Sequence, residues 1–279
     1  MKPLLLFVPA LLLACTRGVA ESDMYIETDL IFGTADDPST RAASPDETMI
    51  TDYNIFIFNL FGDLEESAYL KGRHLEYHTR LLRNVPYTIL AAANMGYQLP
   101  IRCLSDAREY RYPMAYPDEY REGLPMAAVL EEVTVQEQMP LRLERLMARI
   151  DLQMDRRALA AGTLVKVTDV IIGNGPSSVS LFPVSCMETA AQAFQQGFSL
   201  HNDALEALNR DHGDGLSGTV SLYLLENGSE THQSYVEIRA EYHSDTYHTA
   251  PLERLVYRIP LGRVVRNTVY PQVVRIMPR

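Results

Sequence analysis

The chain has 279 residues, 47% of them hydrophobic, which is enough to build one large or two ordinary globular domains. Its formal net charge of -11 at pH 7 argues against nucleic-acid binding and against an electrostatic attachment to anionic lipid. Besides Cys15 there are only Cys103 and Cys186. In an oxidising compartment these two could pair, but the sequence equally allows two buried thiols.

The first 14 residues have the features of a secretory signal. Lys2 supplies a positive charge, and residues 4–13 form an apolar run that is too short to span a bilayer permanently. The run ends in Leu-Leu-Ala-Cys, which resembles a bacterial lipobox with cleavage before an acylated cysteine. We therefore expect a signal peptide over 1–14, a lipid on Cys15 and a polar tether over 15–23. The alternative is a secretory signal with an incidental cysteine.

The first half of the mature chain reads as strands separated by loops. Residues 24–32 form a predicted strand, on which Tyr25 and Ile31 differ by an even number and are expected to share a buried face. An Asp-, Pro-, Ser- and Thr-rich loop is predicted for 33–48. Two apolar runs, 55–58 and 85–94, are typical of strands buried on both faces. Residues 61–64 are predicted to turn the chain into a partner strand, and 102–123 to be irregular.

The second half alternates more regularly. Apolar and polar residues alternate over 220–224, 234–242 and 255–261, as in half-buried antiparallel strands. Residues 226–229 look like a hairpin turn. Helical spacing is confined to an insert: apolar residues from Met187 to Phe198, and a possible capping box formed by Asp203 and Glu206. The predicted class is all-β, with two β-sandwich domains over 24–140 and 141–279 and a short helical insert in the second.

The usual catalytic motifs are missing from the sequence, so we expect no catalytic residue, no metal site and no cofactor. His74 and His78 are too far apart along a strand for a convincing metal site, and His243 and His248 lack ligand spacing. The acidic run 211–215 lacks the full pattern of a calcium loop. Tyrosines at 110, 112, 116 and 120 could stack on a glycan or pack on the sandwich.

An ordered series of motifs resembles the fimbrillin superfamily of Bacteroidales type V fimbriae, in particular its FimB-type anchor and minor-subunit branch. After the lipobox the series comprises Ser39–Arg41, Tyr53–Asn59, Gly62–Leu64, Pro86–Gly96, Leu124–Met126, Leu143–Leu152 and Arg266–Tyr270. No motif is exclusive, and their order and spacing carry the match. The resemblance implies two transthyretin-like sandwiches, export as an outer-membrane lipoprotein, and assembly with shaft subunits by donor-strand exchange.

The resemblance also frames the choice between anchor, shaft and tip. Shaft subunits of this family look as though they are cut after an arginine in the loop that follows the first strand. Here the cut would fall between Arg41 and Ala42 and would remove Cys15 together with the first strand. An uncut chain would keep both and end the polymer at the membrane. Arg145 and Arg149, at the expected start of the second domain, are predicted to lie on one outward face.

The chain stops nine residues after Tyr270, where a shaft subunit would be expected to continue with a further strand. We therefore expect an anchor that attaches a fimbria to the outer membrane and limits its length. The alternatives are a tip subunit and a glycan- or host-binding adhesin.

Overall fold

The computed structural model describes residues 24–34, 45–114, 120, 123–182, 194–211, 213–244 and 251–277. The described residues are mostly strands, as the sequence predicts. The strands are β1 (Tyr25–Thr34), β2 (Asp52–Phe58), β3 (Leu64–Lys71), β4 (Glu76–Leu82), β5 (Pro86–Ala93), β6 (Arg111–Pro113), β7 (Met126–Thr134), β8 (Gln138–Arg145), β9 (Met147–Asp155), β10 (Leu164–Pro176), β11 (Ser178–Ser180), β12 (Phe194–Ser199), β13 (Val220–Leu225), β14 (Ser234–His243), β15 (Glu253–Gly262) and β16 (Val269–Arg275). The helices are α1 (Leu104–Glu109), α2 (Asn202–Asn209) and a 3-10 turn (Pro45–Thr48).

The strands up to Arg145, apart from β6, form a seven-stranded sheet in the order β3-β2-β5-β7-β8-β1-β4, while β6 pairs with β11. The sheet is joined most weakly between β7 and β8, where only Met126 with Arg145 and Ala127 with Glu144 are paired. Side chains from both sides of this joint, including Ile55 of β2 and Leu30 of β1, share one buried cluster. The sheet therefore folds over at the joint and encloses its own core, as in a sandwich.

The central strands β2 and β5 are buried on both faces, which confirms the interpretation of their apolar runs. Ile55, Ile57 and Ile89 point into the enclosed core. Phe56, Phe58 and Leu90 point the other way, into a second cluster that α1 and residues 179–182 help to cover. Ile89 and Leu90 therefore lie in different clusters, because successive side chains of a strand alternate between its faces.

The strands after Leu146, apart from β11, repeat the strand order of the first half. The order β4-β1-β8 corresponds to β13-β9-β16, and β3-β2-β5-β7 corresponds to β12-β10-β14-β15. In both halves the first strand pairs in parallel with the last, β1 with β8 and β9 with β16. This repeat supports the expectation of two transthyretin-like domains. The division of the chain into these domains stays a prediction. Residues 140 and 141, where the two domains are expected to meet, lie inside β8. The chain passes from the seven-stranded sheet to the sheet of β9 at Leu146, between β8 and β9.

The predicted turns and helices are only partly correct. Residues 59–63 form the expected β2–β3 turn, in which the side chain of Asn59 accepts backbone hydrogen bonds from Phe61 and Asp63. Residues 226–229 do not form a hairpin turn, because β13 pairs with β9 while β14 pairs with β10 and β15. Within the expected irregular stretch 102–123, the chain forms α1 and β6.

The helical insert differs from its prediction in the part that the structure describes, since Met187, Ala190 and Ala191 lie outside the described residues. Phe194 and Phe198 lie in β12, because that segment completes a ladder with β10. The helix α2 follows it, with His201 at the N-cap and Asp203 already in the first turn, so Asp203 does not cap it. The side chain of Asn209 bonds both backbone groups of Val167 and ties the end of α2 to β10.

Candidate strand-exchange groove

Strand β1 fills a groove between β8 and β4. It pairs in parallel with β8 from Asp29 to Thr34 and antiparallel with β4 from Tyr25 to Ile31. Further main-chain bonds run from Arg83 to Met24 and from Phe32 to Leu75 at its two ends. With β1 in place, both strands of the groove have a partner, so no open backbone edge is left along it.

The buried face of β1 consists of Ile26, Thr28, Leu30 and Phe32. Phe32 stacks on Tyr53 of β2 with ring centroids 4.5 Å apart. The expectation that Tyr25 and Ile31 are buried is wrong, because the register with β4 and β8 turns the other face inward. Tyr25 instead lies on the outer face beneath the guanidinium of Arg80, 4.7 Å from its ring centroid, and Ile31 is exposed.

The outer face of β1 carries charged contacts to β4. Asp29 Oδ1 lies 2.5 Å from His78 Nδ1, and Glu76 approaches the other ring nitrogen at 3.5 Å. The hydrogen bond and the charge of Asp29 raise the pKa of His78 above its ordinary value. A nearby pair between Glu27 and Arg80 is exposed and 3.7 Å long. Protonation of His78 therefore favours the docked position of β1.

A second polar feature lies just after the loop that contains Arg41. Glu47, in the 3-10 turn, is 4% exposed and accepts hydrogen bonds at Oε1 from Arg149 Nη1 at 2.7 Å and from the Tyr223 hydroxyl at 2.8 Å. Its carbonyl accepts a bond from Arg145 Nε. We call these residues the Glu47 clasp: Glu47, Arg145, Arg149 and Tyr223. The clasp joins the segment after the loop to β8, β9 and β13.

The clasp corrects the prediction that Arg145 and Arg149 face outward. Arg145 is 9% exposed, and the Arg149 side chain is 11% exposed. Burial opposes the charge of Arg149, but Glu47 and Asp151 outweigh it, so its pKa lies above the ordinary value. Burial and then the negative charge of Glu47 raise the pKa of Tyr223, so its hydroxyl stays a donor. Sequence spacing gave no signal for Glu47.

The described part of the tyrosine-rich segment packs against the rest of the protein. Tyr112 lies in β6, which pairs with β11, and burial raises its pKa. The hydroxyls of Tyr110 and Tyr97 are 2.6 Å apart, and the ring of Tyr120 meets Tyr223 edge-on at 5.8 Å. Tyr116 lies outside the described residues. This arrangement favours packing over a glycan platform.

The predicted lipidation, processing and cysteine pairing involve residues outside the described part of the chain: Cys15, Arg41, Ala42 and Cys186. All three therefore stay predictions. Cys103 precedes α1 and is partly exposed, with its sulfur 3.0 Å from the hydroxyl of Ser105.

The suggested ligand residues engage other partners. His74 Nε2 lies 3.0 Å from the backbone carbonyl oxygen of Lys71, and its ring meets the ring of Tyr53 edge-on. Asp211 and Asp214 accept backbone N–H groups of their own loop. His248 and Asp245 lie outside the described residues. Within the described ranges, no group of three His, Cys, Asp or Glu residues could hold a metal ion, and no helix is long and apolar enough to cross a membrane.

Comparison with solved structures gives matches along most of the chain. A candidate cell adhesion protein from Bacteroides eggerthii has a TM-score of 0.66 at 14% identity, covering 91% of this chain and 87% of its own. The fimbrilin FimA from Porphyromonas gingivalis has a TM-score of 0.61 at 10% identity, covering 91% and 90%. The chain has the fimbrillin fold.

A third structure with this fold is the tip fimbrial protein Mfa3 from Porphyromonas gingivalis, truncated at its C terminus. Its TM-score is 0.58 at 13% identity, and the match covers 91% of this chain and 95% of that one. No family model matches the sequence. The curated proteins likewise give no match. The fimbrillin fold is therefore established by structure, at identities that do not transfer the function of any one relative.

Proposed function

We propose that this protein is a structural subunit of a bacterial surface fimbria, of the FimB-type anchor branch, that attaches the fimbria to the outer membrane. The observation that carries the proposal is the state of the groove: β1 is paired along both edges and closes it with the chain's own strand. A closed first sandwich suits a subunit that keeps its N-terminal segment, and with it the lipid on Cys15.

The attachment itself follows from the lipobox-like segment. Each buried methylene of an acyl chain contributes about 0.8 kcal/mol, and a single chain gives only reversible binding. Two or three chains on Cys15 would hold the protein on the membrane permanently. The net charge of -11 then keeps the folded body away from an acidic surface. The fold and the described side chains support a structural rather than a catalytic role.

The partners of this proposal are shaft subunits that bind by strand exchange. In this mode an extended segment adds to a sheet through main-chain hydrogen bonds, and alternate side chains fill pockets. The groove between β4 and β8 has this form, with four inward positions at a spacing of two residues. By holding one end of the polymer, the subunit would also limit its length.

A tip role is the second candidate, favoured by the fold shared with the tip fimbrial protein Mfa3. Cleavage after Arg41 would release Cys15 and β1 and leave a groove open to a neighbouring subunit. Immunogold labelling of intact cells separates the two roles. The anchor proposal predicts gold at the cell-proximal end of each fimbria, and gold at the distal ends would contradict it and support the tip.

A further inference from the structure

A pocket outside the strand-exchange groove lies where α1 meets the β2–β3 turn. Its volume is about 530 Å³, which is within the usual range of ligand pockets. The described residues that line it come from the turn, the start of β5, the segment 103–109 and Glu132 of β7. None of these residues lies in β1, β4 or β8, so the pocket is separate from the groove.

The turn presents two large apolar side chains at this pocket. Phe61 is 87% exposed and Leu60 is 58% exposed. The backbone beneath them is fixed, because Asn59 Oδ1 accepts a hydrogen bond from the Phe61 N–H at 2.9 Å and the Gly62 carbonyl accepts one from the Leu104 N–H at 2.9 Å. A phenyl ring that buries so little area contributes little to the fold. Held on a rigid turn, it suits an interface, where aromatic side chains are enriched.

Glu132 reaches the pocket from a strained backbone position. Its φ of 49° lies in the left-handed region, which residues with a Cβ adopt rarely. The position is a β-bulge, since the register of β7 with β5 shifts between Tyr87 and Ile89. Glycine adopts this backbone conformation without steric cost. The chain therefore keeps a carboxylate at the pocket at the expense of stability.

The charges of the pocket are mostly negative. Asp63, Glu109 and Glu132 line it, and their carboxylates form no hydrogen bond or ion pair with another described residue. Among the described lining residues only Arg108 is basic, and it lies 3.8 Å from Glu131, beside the pocket. The pocket thus combines an excess of negative charge and unused hydrogen-bond acceptors with an exposed aromatic ring.

A guanidinium group matches these features together. The face of an aromatic ring attracts a cation placed over it, and arginine is the cation found there most often. The N–H donors of a guanidinium pair with carboxylate oxygens in bidentate, charge-assisted hydrogen bonds. The ammonium group of lysine carries the same charge but lacks the planar set of donors. A neutral ligand such as a sugar leaves the negative charge unbalanced.

We propose that this pocket docks an arginine side chain of a partner protein, with the guanidinium against Phe61 and paired with the carboxylates of Glu109 and Glu132. Leu60 provides an apolar rim for the methylene groups of the same side chain. In such interfaces a few aromatic and arginine residues supply most of the binding energy. This surface goes beyond the proposed anchoring function and requires neither strand exchange nor the lipid.

The first experiment measures peptide binding to the full mature chain by fluorescence anisotropy. The probe is the dye-labelled peptide Gly-Ser-Leu-Arg-Leu-Ser-Gly. Two matched peptides carry glutamate or citrulline, a neutral residue with the shape of arginine, in place of the arginine. We expect the arginine peptide to bind about tenfold more tightly than either, and to weaken as added salt screens the charges. Equal binding of the arginine and citrulline peptides, or no binding of the arginine peptide at about 1 mM, would overturn the proposal.

Variants with matched controls locate the binding. Phe61→Ala and Glu109→Gln should each weaken the arginine peptide about tenfold. The controls should bind it like wild type: Val256→Ala shortens an exposed apolar side chain of β15, and Glu230→Gln removes an exposed carboxylate from the second half. An unchanged thermal midpoint verifies that Phe61→Ala is folded. Binding that survives both pocket variants would overturn the proposal, as would a glycan array on which Phe61→Ala abolishes sugar binding.

A substitution of Glu132 separates binding from stability. Glu132→Gly relieves the left-handed backbone, so it should lower the equilibrium constant for unfolding about fivefold while it weakens the arginine peptide about tenfold. Glu131→Gly is the matched change at a residue outside the left-handed region, and it should raise the unfolding constant instead. Urea denaturation measures both constants. If Glu132→Gly binds the peptide as tightly as wild type, the proposed role of Glu132 is wrong.

Discussion

Glu47 and Arg149 form a buried ion pair that joins the segment after the loop containing Arg41 to the first strand of the second half, with 2.7 Å between Oε1 and Nη1. Removing one partner of a buried pair leaves an uncompensated charge, so Glu47→Ala is expected to lower the free energy of unfolding by about 3 kcal/mol. Tyr223→Phe, which removes only a hydroxyl donor from the same oxygen, should cost about 1 kcal/mol. Urea denaturation measures both.

A double-mutant cycle tests whether the clasp acts as a unit. The effects of Glu47→Ala and Arg149→Met should be strongly non-additive, because either change breaks the same pair. Glu27→Ala serves as the control, since its contact with Arg80 is exposed and long and should change stability little. Additive effects of the two clasp variants would show that the pair contributes nothing to the junction.

The pair between His78 and Asp29 predicts a pH dependence for the docking of β1. Because Asp29 raises the pKa of His78 above its ordinary 6.5, its stabilisation is fully present below about pH 6.5 and is lost as the pH rises through the raised value. The difference in unfolding free energy between wild type and Asp29→Asn should therefore be largest at pH 5 and shrink by pH 8. Glu27→Gln, which removes the same charge beside an arginine, should give a difference that does not vary with pH.

Gly173 is predicted to be intolerant of a side chain. It pairs with Tyr235, and a Cβ at position 173 would lie 2.0 Å from that ring, which itself packs under Arg258. Gly173→Ala must push the ring aside and should cost about 2 kcal/mol, the usual size of an overpacking effect. Gly33→Ala is the matched change on β1, where nothing lies within 4 Å. A thermal midpoint of Gly173→Ala equal to that of Gly33→Ala would refute the overpacking.

The proposed lipid attachment predicts a different behaviour for two cysteine variants. Cys15→Ser removes the acylation site and should leave the protein unprocessed or in the soluble fraction after detergent partitioning. Cys103→Ser should partition like wild type, because Cys103 lies in the folded body beside α1. The lipoprotein proposal fails if Cys15→Ser still enters the detergent phase at the wild-type level and matures normally.

The sequence predicted the strands whose pattern is unambiguous and missed features set by distant partners. The apolar runs of β2 and β5 identified them as strands covered on both faces. For β1 the strand was correct but its buried face was not, because both faces carry apolar residues and only the pairing with β4 and β8 selects Ile26 and Leu30 over Tyr25 and Ile31.

Sequence-based prediction of the candidate site is limited in the same way by contacts between residues far apart in the chain. Arg145 and Arg149 look like surface residues in the sequence, because their partner Glu47 lies about a hundred positions away. At Phe194 and Phe198 the helical spacing predicted the wrong element because residues 194–199 pair with β10, and long-range pairing overrides local periodicity. Nor can the sequence distinguish Thr28, whose buried hydroxyl has no partner among the described residues, from Thr79, whose hydroxyl donates to Glu66.

The N terminus of the mature protein tests the central claim most directly. Mass spectrometry of the protein purified with its fimbriae from the outer-membrane fraction should find a first residue of Cys15 carrying acyl chains, and peptides of β1 in equal amount to those of the folded body. A first residue of Ala42, with the β1 peptides absent, would contradict the anchor assignment.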